Sequence, residues 1–180
     1  MFTISEPQQR YLLAVARKAI ATGLGVSAPE PEPPSEHIAI TCGAFVTLRQ
    51  NGDLRGCIGT MSSDRPLPEV IEDMATSSAF HDPRFAPVTA GELPSITIEL
   101  SLLSPLVRVE SLSEITPGEH GIYLKKGPRS GVLLPQVAIE HRWDRTTFLE
   151  NTCRKAGLRP NAYGDPDVAL YVFSAVICIE

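Results

Sequence analysis

The sequence predicts the same succession of elements twice: a β-hairpin, a helix and a strand. In the first half, strand-like residues 37–48 and 54–60 flank Asn51-Gly52, a dipeptide typical of type I′ hairpin turns. A helix beginning near Pro66 follows, and residues 95–104 then alternate apolar and polar side chains as a strand with one buried face does.

The second half repeats this order. Residues 120–135 predict another hairpin with a Gly-Pro turn, and a helix follows that is capped by Asp144 and ends before Gly157. One closing strand is predicted over residues 168–179. Two such units indicate an internal duplication and an α+β fold, in which antiparallel sheets pack against helices in two subdomains.

Two further segments complete the predicted organisation of residues 1–180, which are expected to form a single domain. Residues 5–23 predict a helix, because Ser5 and Gln8 form a capping box before an apolar stripe. Residues 28–35 are rich in proline and predict an extended, polyproline-like connector.

Composition excludes several functional classes. Hydrophobic residues make up 43% and charged residues 21%, as in soluble globular proteins, and the net charge of -5 argues against general nucleic-acid binding. No targeting signal and no membrane-length apolar run is evident, so a cytoplasmic location is expected. Neither the four cysteines nor the four histidines show ligand spacing, and we predict no metal and no cofactor.

The register of the first hairpin determines what surrounds its cysteine. If Asn51-Gly52 form a two-residue loop, Arg55 lies opposite Leu48 and Cys57 lies opposite Val46. Opposed residues share a face of the sheet, so this register predicts Arg55 and Cys57 on the same side.

Cys57 is the strongest candidate for chemistry. Gly56 and Gly59 remove side chains beside it, Arg55 would favour the thiolate, and His81 is a candidate base. The alternative is that Cys57 packs as a small hydrophobic residue and that the glycines only permit tight packing.

Four other polar residues are candidates for ligand binding: Asp82, Arg84, His120 and Glu99. Asp82 and Arg84 flank a proline in a loop after a helix, where an acid and a guanidinium can meet a ligand or can simply pair with each other. His120 precedes a strand and is a second candidate base, or a structural histidine, and Glu99 lies on the polar face of its strand.

Several short motifs together resemble the AMMECR domain family. They are LRGCIG at residues 54–59, DPRF at 82–85, ITIELSLLSP at 96–105, HGI at 120–122 and LPQVA at 134–138. The resemblance covers most of the chain. It implies an α+β domain with two subdomains and an internal duplication, in agreement with the repeat of elements.

The resemblance also implies a biological context, although the biochemistry of the family is uncharacterised. Bacterial and archaeal members are labelled AmmeMemoRadiSam system protein A, alongside a Memo-like protein and a radical S-adenosylmethionine enzyme. Two hypotheses follow: an accessory or catalytic component of a modification pathway acting through a cleft around Cys57, or a non-catalytic module that binds a protein or ligand there.

Overall fold

The computed structural model describes residues 2–35, 38 and 40–180. Its helices and strands have the following bounds: α1 (Glu6–Gly23), β1 (Ala44–Gln50), β2 (Asp53–Thr60), α2 (Leu67–Phe80), β3 (Ile96–Leu103), β4 (Val107–Arg108), β5 (Gly121–Lys126), β6 (Arg129–Leu133), α3 (Pro135–Glu140), α4 (Arg145–Lys155), β7 (Ala169–Phe173) and β8 (Ala175–Ile179). The α+β class is confirmed. His37, where the first strand was expected to begin, lies outside the described residues, and β1 begins at Ala44.

Local sequence signals explain the first helix and the connector that follows it. The Gln8 side chain accepts the Ser5 N–H at 3.0 Å, which is one half of the predicted capping box. In the connector, Ala28, Pro31 and Pro34 are half-buried whereas most residues between them are exposed. This period of three fits a polyproline-type segment with one side against the protein.

The two sheets have the same strand order. Counted from the second arm of each hairpin, the first sheet runs β2-β1-β3-β8 and the second runs β6-β5-β7-β4. The hairpin, helix and strand of the first half therefore correspond to those of the second half, as the repeated sequence pattern predicts.

The fourth strand of each sheet was not predicted. Residues 168–179 form two strands, β7 and β8, which separate at Ser174 and join different sheets. The prediction of one closing strand was wrong, because a continuous strand-like run carries no signal for where the chain changes its pairing partner. The short strand β4 follows β3 in the chain but pairs with β7 in the other sheet.

Residues group into two compact units, each with its own apolar core. The first comprises Met1–Leu103 with Val176–Glu180, and the second comprises Ser104–Ala175. In the first core, α1 and α2 pack on one face of the sheet, through residues that include Leu12, Ile71 and Leu100. In the second core, α4 packs on β5 and β6.

The first hairpin contains a β-bulge, and its register therefore differs from the predicted one. The turn is as expected, since Asn51 and Gly52 both have positive φ. The pairing then shifts: Arg49 lies opposite Leu54 and Leu48 opposite Gly56, so that Arg55 is the extra residue.

The bulge changes the cross-strand neighbour of the cysteine. Cys57 lies opposite Thr47 and not opposite Val46, and Arg55 does not lie opposite Leu48. The prediction was wrong because a shift of one residue turns every following side chain to the other face of the sheet. Cys57 thus lies on the face opposite to the one that Val46 and Leu48 bury in the core.

Candidate functional site

The loop after α2 binds the N–H and the carbonyl of Cys57 at the free edge of β2. Among the residues that the structure describes, β2 is an edge strand, and no strand lies along one side of it. The Cys57 N–H donates to Asp82 Oδ2 at 2.8 Å, and Arg84 Nη2 donates to the Cys57 carbonyl at 3.0 Å. Two side chains therefore replace a neighbouring strand at this position, and we call this pair the clamp.

The local sequence forms the clamp through a turn. Pro83 disfavours continuation of α2, which ends at Phe80. The Phe85 N–H then donates to the Asp82 carbonyl at 3.1 Å, and the Arg84 N–H donates to Asp82 Oδ1 at 3.1 Å. An Asp at the start of a turn and a Pro after it favour this geometry, which directs the Asp82 carboxylate toward β2.

The Asp82 carboxylate is buried and accepts four hydrogen bonds from within the protein. Its residue is only 4% exposed, and Arg84 donates to it through Nε at 2.9 Å and Nη2 at 2.7 Å. These bonds lower the pKa of Asp82 well below its usual range, against the opposing effect of burial, and the Cys57 N–H adds to the lowering. The role of Asp82 and Arg84 in ligand binding stays a prediction, whereas their contacts here are internal.

The glycines of the LRGCIG motif are required by packing. A Cβ at Gly56 would lie 2.2 Å from the Ser78 carbonyl oxygen, so only glycine lets the end of α2 approach β2 this closely. The Ser78 hydroxyl accepts the Ile58 N–H at 2.9 Å and donates to the Val46 carbonyl at 2.8 Å. The contact thus joins the helix to both arms of the hairpin.

The Cys57 thiol differs from the other three cysteines because it alone is not buried. The Thr47 hydroxyl donates to Cys57 Sγ at 3.3 Å. The pKa of Arg84 is raised chiefly by its hydrogen bond to Asp82, and Cys57 contributes to the same rise. The Thr47 hydroxyl is therefore hydrogen-bonded to the sulfur of Cys57, and the Arg84 guanidinium is hydrogen-bonded to the carbonyl of the same residue.

Arg55 pairs with a different partner. Its Nε donates to Glu92 Oε1 at 2.8 Å, and both side chains are largely buried. This contact, together with the Thr89 N–H and hydroxyl, lowers the pKa of Glu92 to about 2. Arg55 thus connects the bulge of β2 to the loop before β3. The guanidinium that is hydrogen-bonded to Cys57, at its carbonyl, is that of Arg84.

The two candidate bases occupy different environments. His81 is exposed at the end of α2, where its backbone N–H donates to the Ser77 carbonyl at 2.8 Å. In the described part of the chain, its side chain has no hydrogen bond to Cys57. His120 belongs to the second unit, where its Nδ1 accepts the Thr116 N–H at 3.1 Å. Their roles as bases stay predictions.

Glu99 lies in one cross-strand row with the cysteine. Cys57 is opposite Thr47 in β1, and Thr47 is opposite Glu99 in β3. Glu99 also forms an ion pair with Arg49 at 3.6 Å. We call Cys57, Thr47 and Glu99 the polar row. Sequence reasoning missed Thr47, whose only signal is a hydroxyl within the apolar run AFVTL.

Two features are absent from residues 2–35, 38 and 40–180, which the structure describes. Over these residues, no group of three or more His, Cys, Asp or Glu side chains could hold a metal ion. Within the same ranges, no helix has both the length and the apolar character needed to cross a bilayer.

A known family model, known sequences and a solved structure each match most of this chain. A family model described as AMMECR1 matches residues 13–178. A protein of Methanopyrus kandleri is 41% identical over 94% of this chain and 87% of its own length. A protein of Methanothermobacter thermautotrophicus is 40% identical over 98% and 96%. The crystal structure of an uncharacterized protein from Pyrococcus horikoshii superposes with a TM-score of 0.86, at 38% identity, over 98% of this chain and 93% of that one.

Proposed function

The chain belongs to the AMMECR1 family, and we propose that it acts through the thiol of Cys57 as a component of a modification pathway. The observation that supports this proposal is the environment of Cys57. It is the one cysteine that is not buried, and a hydroxyl and a guanidinium lie beside it. The proposed partners are a Memo-like protein and a radical S-adenosylmethionine enzyme.

The geometry suits a thiolate nucleophile. Asp82 and Arg84 fix the Cys57 backbone through its N–H and its carbonyl, so that the position of Sγ is set before a substrate arrives. The thiol loses its proton to water, to which it is partly exposed. The thiolate then forms a bond to an electrophilic carbon, and the leaving group departs with the electron pair of the bond that breaks.

A second candidate function is a binding module, and one observation favours it. Arg84 uses Nε and Nη2 internally, Asp82 accepts only internal donors, and His81 makes no side-chain hydrogen bond to the thiol among the described residues. With no positioned base, the same surface would hold a protein or small ligand over a packed Cys57.

Residue-resolved alkylation separates the two functions. Folded protein is treated with iodoacetamide at several pH values, and each cysteine is quantified by mass spectrometry. For an activated thiolate we expect Cys57 to react at pH 7 at least about tenfold faster than a cysteine in a short unstructured peptide. Cys42 and Cys178 are internal controls, since burial raises the pKa of each to about 11.

The outcome assigns the class. If Cys57 reacts no faster than the peptide, the nucleophile proposal is wrong and the binding module is favoured. Cys57→Ser tests the pathway itself, since it preserves the backbone contacts of the clamp. Full activity of this variant in a reconstitution with the Memo-like and radical enzymes would also reject a thiol-dependent role. Co-purification of those proteins with wild type would support the partner assignment.

A further inference from the structure

Because the two units repeat the same elements, the second unit shows which residues the fold accepts at the positions of the polar row. The two hairpins can be aligned at one shared contact. A Cβ at Gly131 in β6 would lie 2.6 Å from the Thr152 carbonyl of α4, as a Cβ at Gly56 in β2 would lie 2.2 Å from the Ser78 carbonyl of α2. Gly131 is opposite Leu124, as Gly56 is opposite Leu48.

This alignment gives the second unit's counterpart of the polar row. One residue beyond Gly131, Val132 lies opposite Tyr123, and Tyr123 lies opposite Tyr171. The two tyrosine rings are 6.0 Å apart. The row that holds Cys, Thr and Glu in the first unit thus holds Val, Tyr and Tyr in the second, so the fold accepts a largely apolar row at these positions.

The clamp has no counterpart in the second unit. With Ser78 aligned to Thr152, the positions of Asp82 and Arg84 correspond to Ala156 and Leu158. Neither of these side chains can donate or accept a hydrogen bond. The polar groups around Cys57 are therefore additions to the repeated framework and not part of it.

A second observation indicates that this face holds more than packed side chains. Ser101 lies two residues beyond Glu99 in β3 and so on the same face of the sheet. It is 1% exposed, and its hydroxyl has no hydrogen-bond partner among the described residues. A buried hydroxyl without a partner is unfavourable, and a ligand or an ordered water on this face would satisfy it.

From these contacts we infer that Thr47 is the positioning residue of the Cys57 thiolate: its hydroxyl donates to Sγ and stabilises the anionic form. This inference rests on the proposed function. Thr47 is 8% exposed, so its hydroxyl is shielded from competing water. Glu99, the neighbouring acceptor across the sheet, is paired with Arg49, which leaves the Thr47 hydroxyl to the sulfur.

The test is a pH profile of Cys57 alkylation in three variants. Thr47→Val removes the hydroxyl at nearly constant volume, and Thr47→Ser retains it. Thr97→Val is the matched control. Thr97 lies in β3 on the same face of the sheet as Thr47, but it is exposed and lies opposite Arg49 rather than beside the thiol. Circular dichroism and thermal unfolding verify that each variant is folded.

Loss of one hydrogen bond to a charged group predicts a shift of the alkylation profile of Thr47→Val toward higher pH by about one unit, with about a tenfold slower reaction at pH 7. Thr47→Ser and Thr97→Val should match wild type. A fast wild-type Cys57 with an unchanged profile in Thr47→Val would overturn the Thr47 inference alone. A wild-type Cys57 as slow as a free peptide thiol would instead overturn the proposed function. A folded Thr47→Ser variant as slow as Thr47→Val would assign the effect to packing and also reject the inference.

Discussion

Asp82→Asn should destabilise the protein by removing the anionic half of the clamp. The change keeps the size of the side chain but replaces one carboxylate oxygen with an NH2 group. The four donors that reach the carboxylate are the Cys57 N–H and the N–H, Nε and Nη2 of Arg84. An amide can accept only some of these bonds, and its NH2 group opposes at least one donor.

The expected loss is about 3 kcal/mol in the free energy of unfolding. Breaking a buried ion pair by changing one partner costs about 3–5 kcal/mol. The lower end applies because the Arg84 side chain is 52% exposed and water can solvate it after the change. With a urea m-value of about 2 kcal/mol per M, this loss lowers the unfolding midpoint by about 1.5 M.

Urea unfolding followed by far-ultraviolet circular dichroism measures this loss, and its pH dependence identifies the cause. The pKa of Asp82 is lowered in the folded state. Its stabilisation is therefore fully present above the unfolded value of about 3.9 and is lost as pH falls below it. The gap between wild type and Asp82→Asn should be constant from pH 7 to pH 5 and should narrow below about pH 4.

Asp73→Asn is the matched control, since Asp73 pairs with Arg65 and both side chains are about half exposed. Its cost should lie below about 1 kcal/mol. If Asp82→Asn costs no more than Asp73→Asn, or if the stability gap stays unchanged down to pH 2, the ionised Asp82 carboxylate does not stabilise the edge strand.

Two further substitutions test the packing around the site. Gly56→Ala places a methyl group against the Ser78 carbonyl and should cost about 2 kcal/mol in urea unfolding. Gly91→Ala, where a Cβ meets nothing within 4 Å, should change stability by less than about 0.5 kcal/mol, and equal effects would contradict the close approach of α2. Ser101→Ala removes a buried hydroxyl that has no hydrogen-bond partner in the part of the chain that the structure describes, and should raise the free energy of unfolding by about 1 kcal/mol in the same assay. A decrease of similar size would show that the hydroxyl is satisfied.

Features encoded by neighbouring residues could be predicted from the sequence. The first helix ends at Gly23 as expected, and the predicted cap of α4 is confirmed by the Thr147 N–H, which donates to Asp144 at 2.8 Å. The positive φ angles of Asn51 and Gly52 confirm the hairpin turn. In each case the signal and the structure that it determines lie within a few residues of one another.

Features that depend on tertiary packing could not be predicted. The bulge at Arg55 is one residue long, and the Arg55 guanidinium pairs with Glu92, which is far away in the sequence. The same limit applies to Thr47, because a hydroxyl in an apolar strand becomes significant only when the cross-strand neighbour is known. Cys57 itself could be identified, since the LRGCIG motif marks it in the sequence.

The two repeats differ at their edge strands, β2 and β6, and the difference lies at Cys57. β6 lies at the edge of the second sheet and packs against α4, without polar side chains at the positions of the clamp. β2 packs against α2 as well, yet its free edge at Cys57 also receives a buried carboxylate and a guanidinium. Breaking the clamp at one partner is costly, but replacing both partners of a buried ion pair with apolar residues is often neutral or stabilising, so the fold does not require this particular pair. The clamp does hold the Cys57 backbone through two directional bonds that β6 lacks at the corresponding position, and this is the reason to test the function of the chain at this residue first.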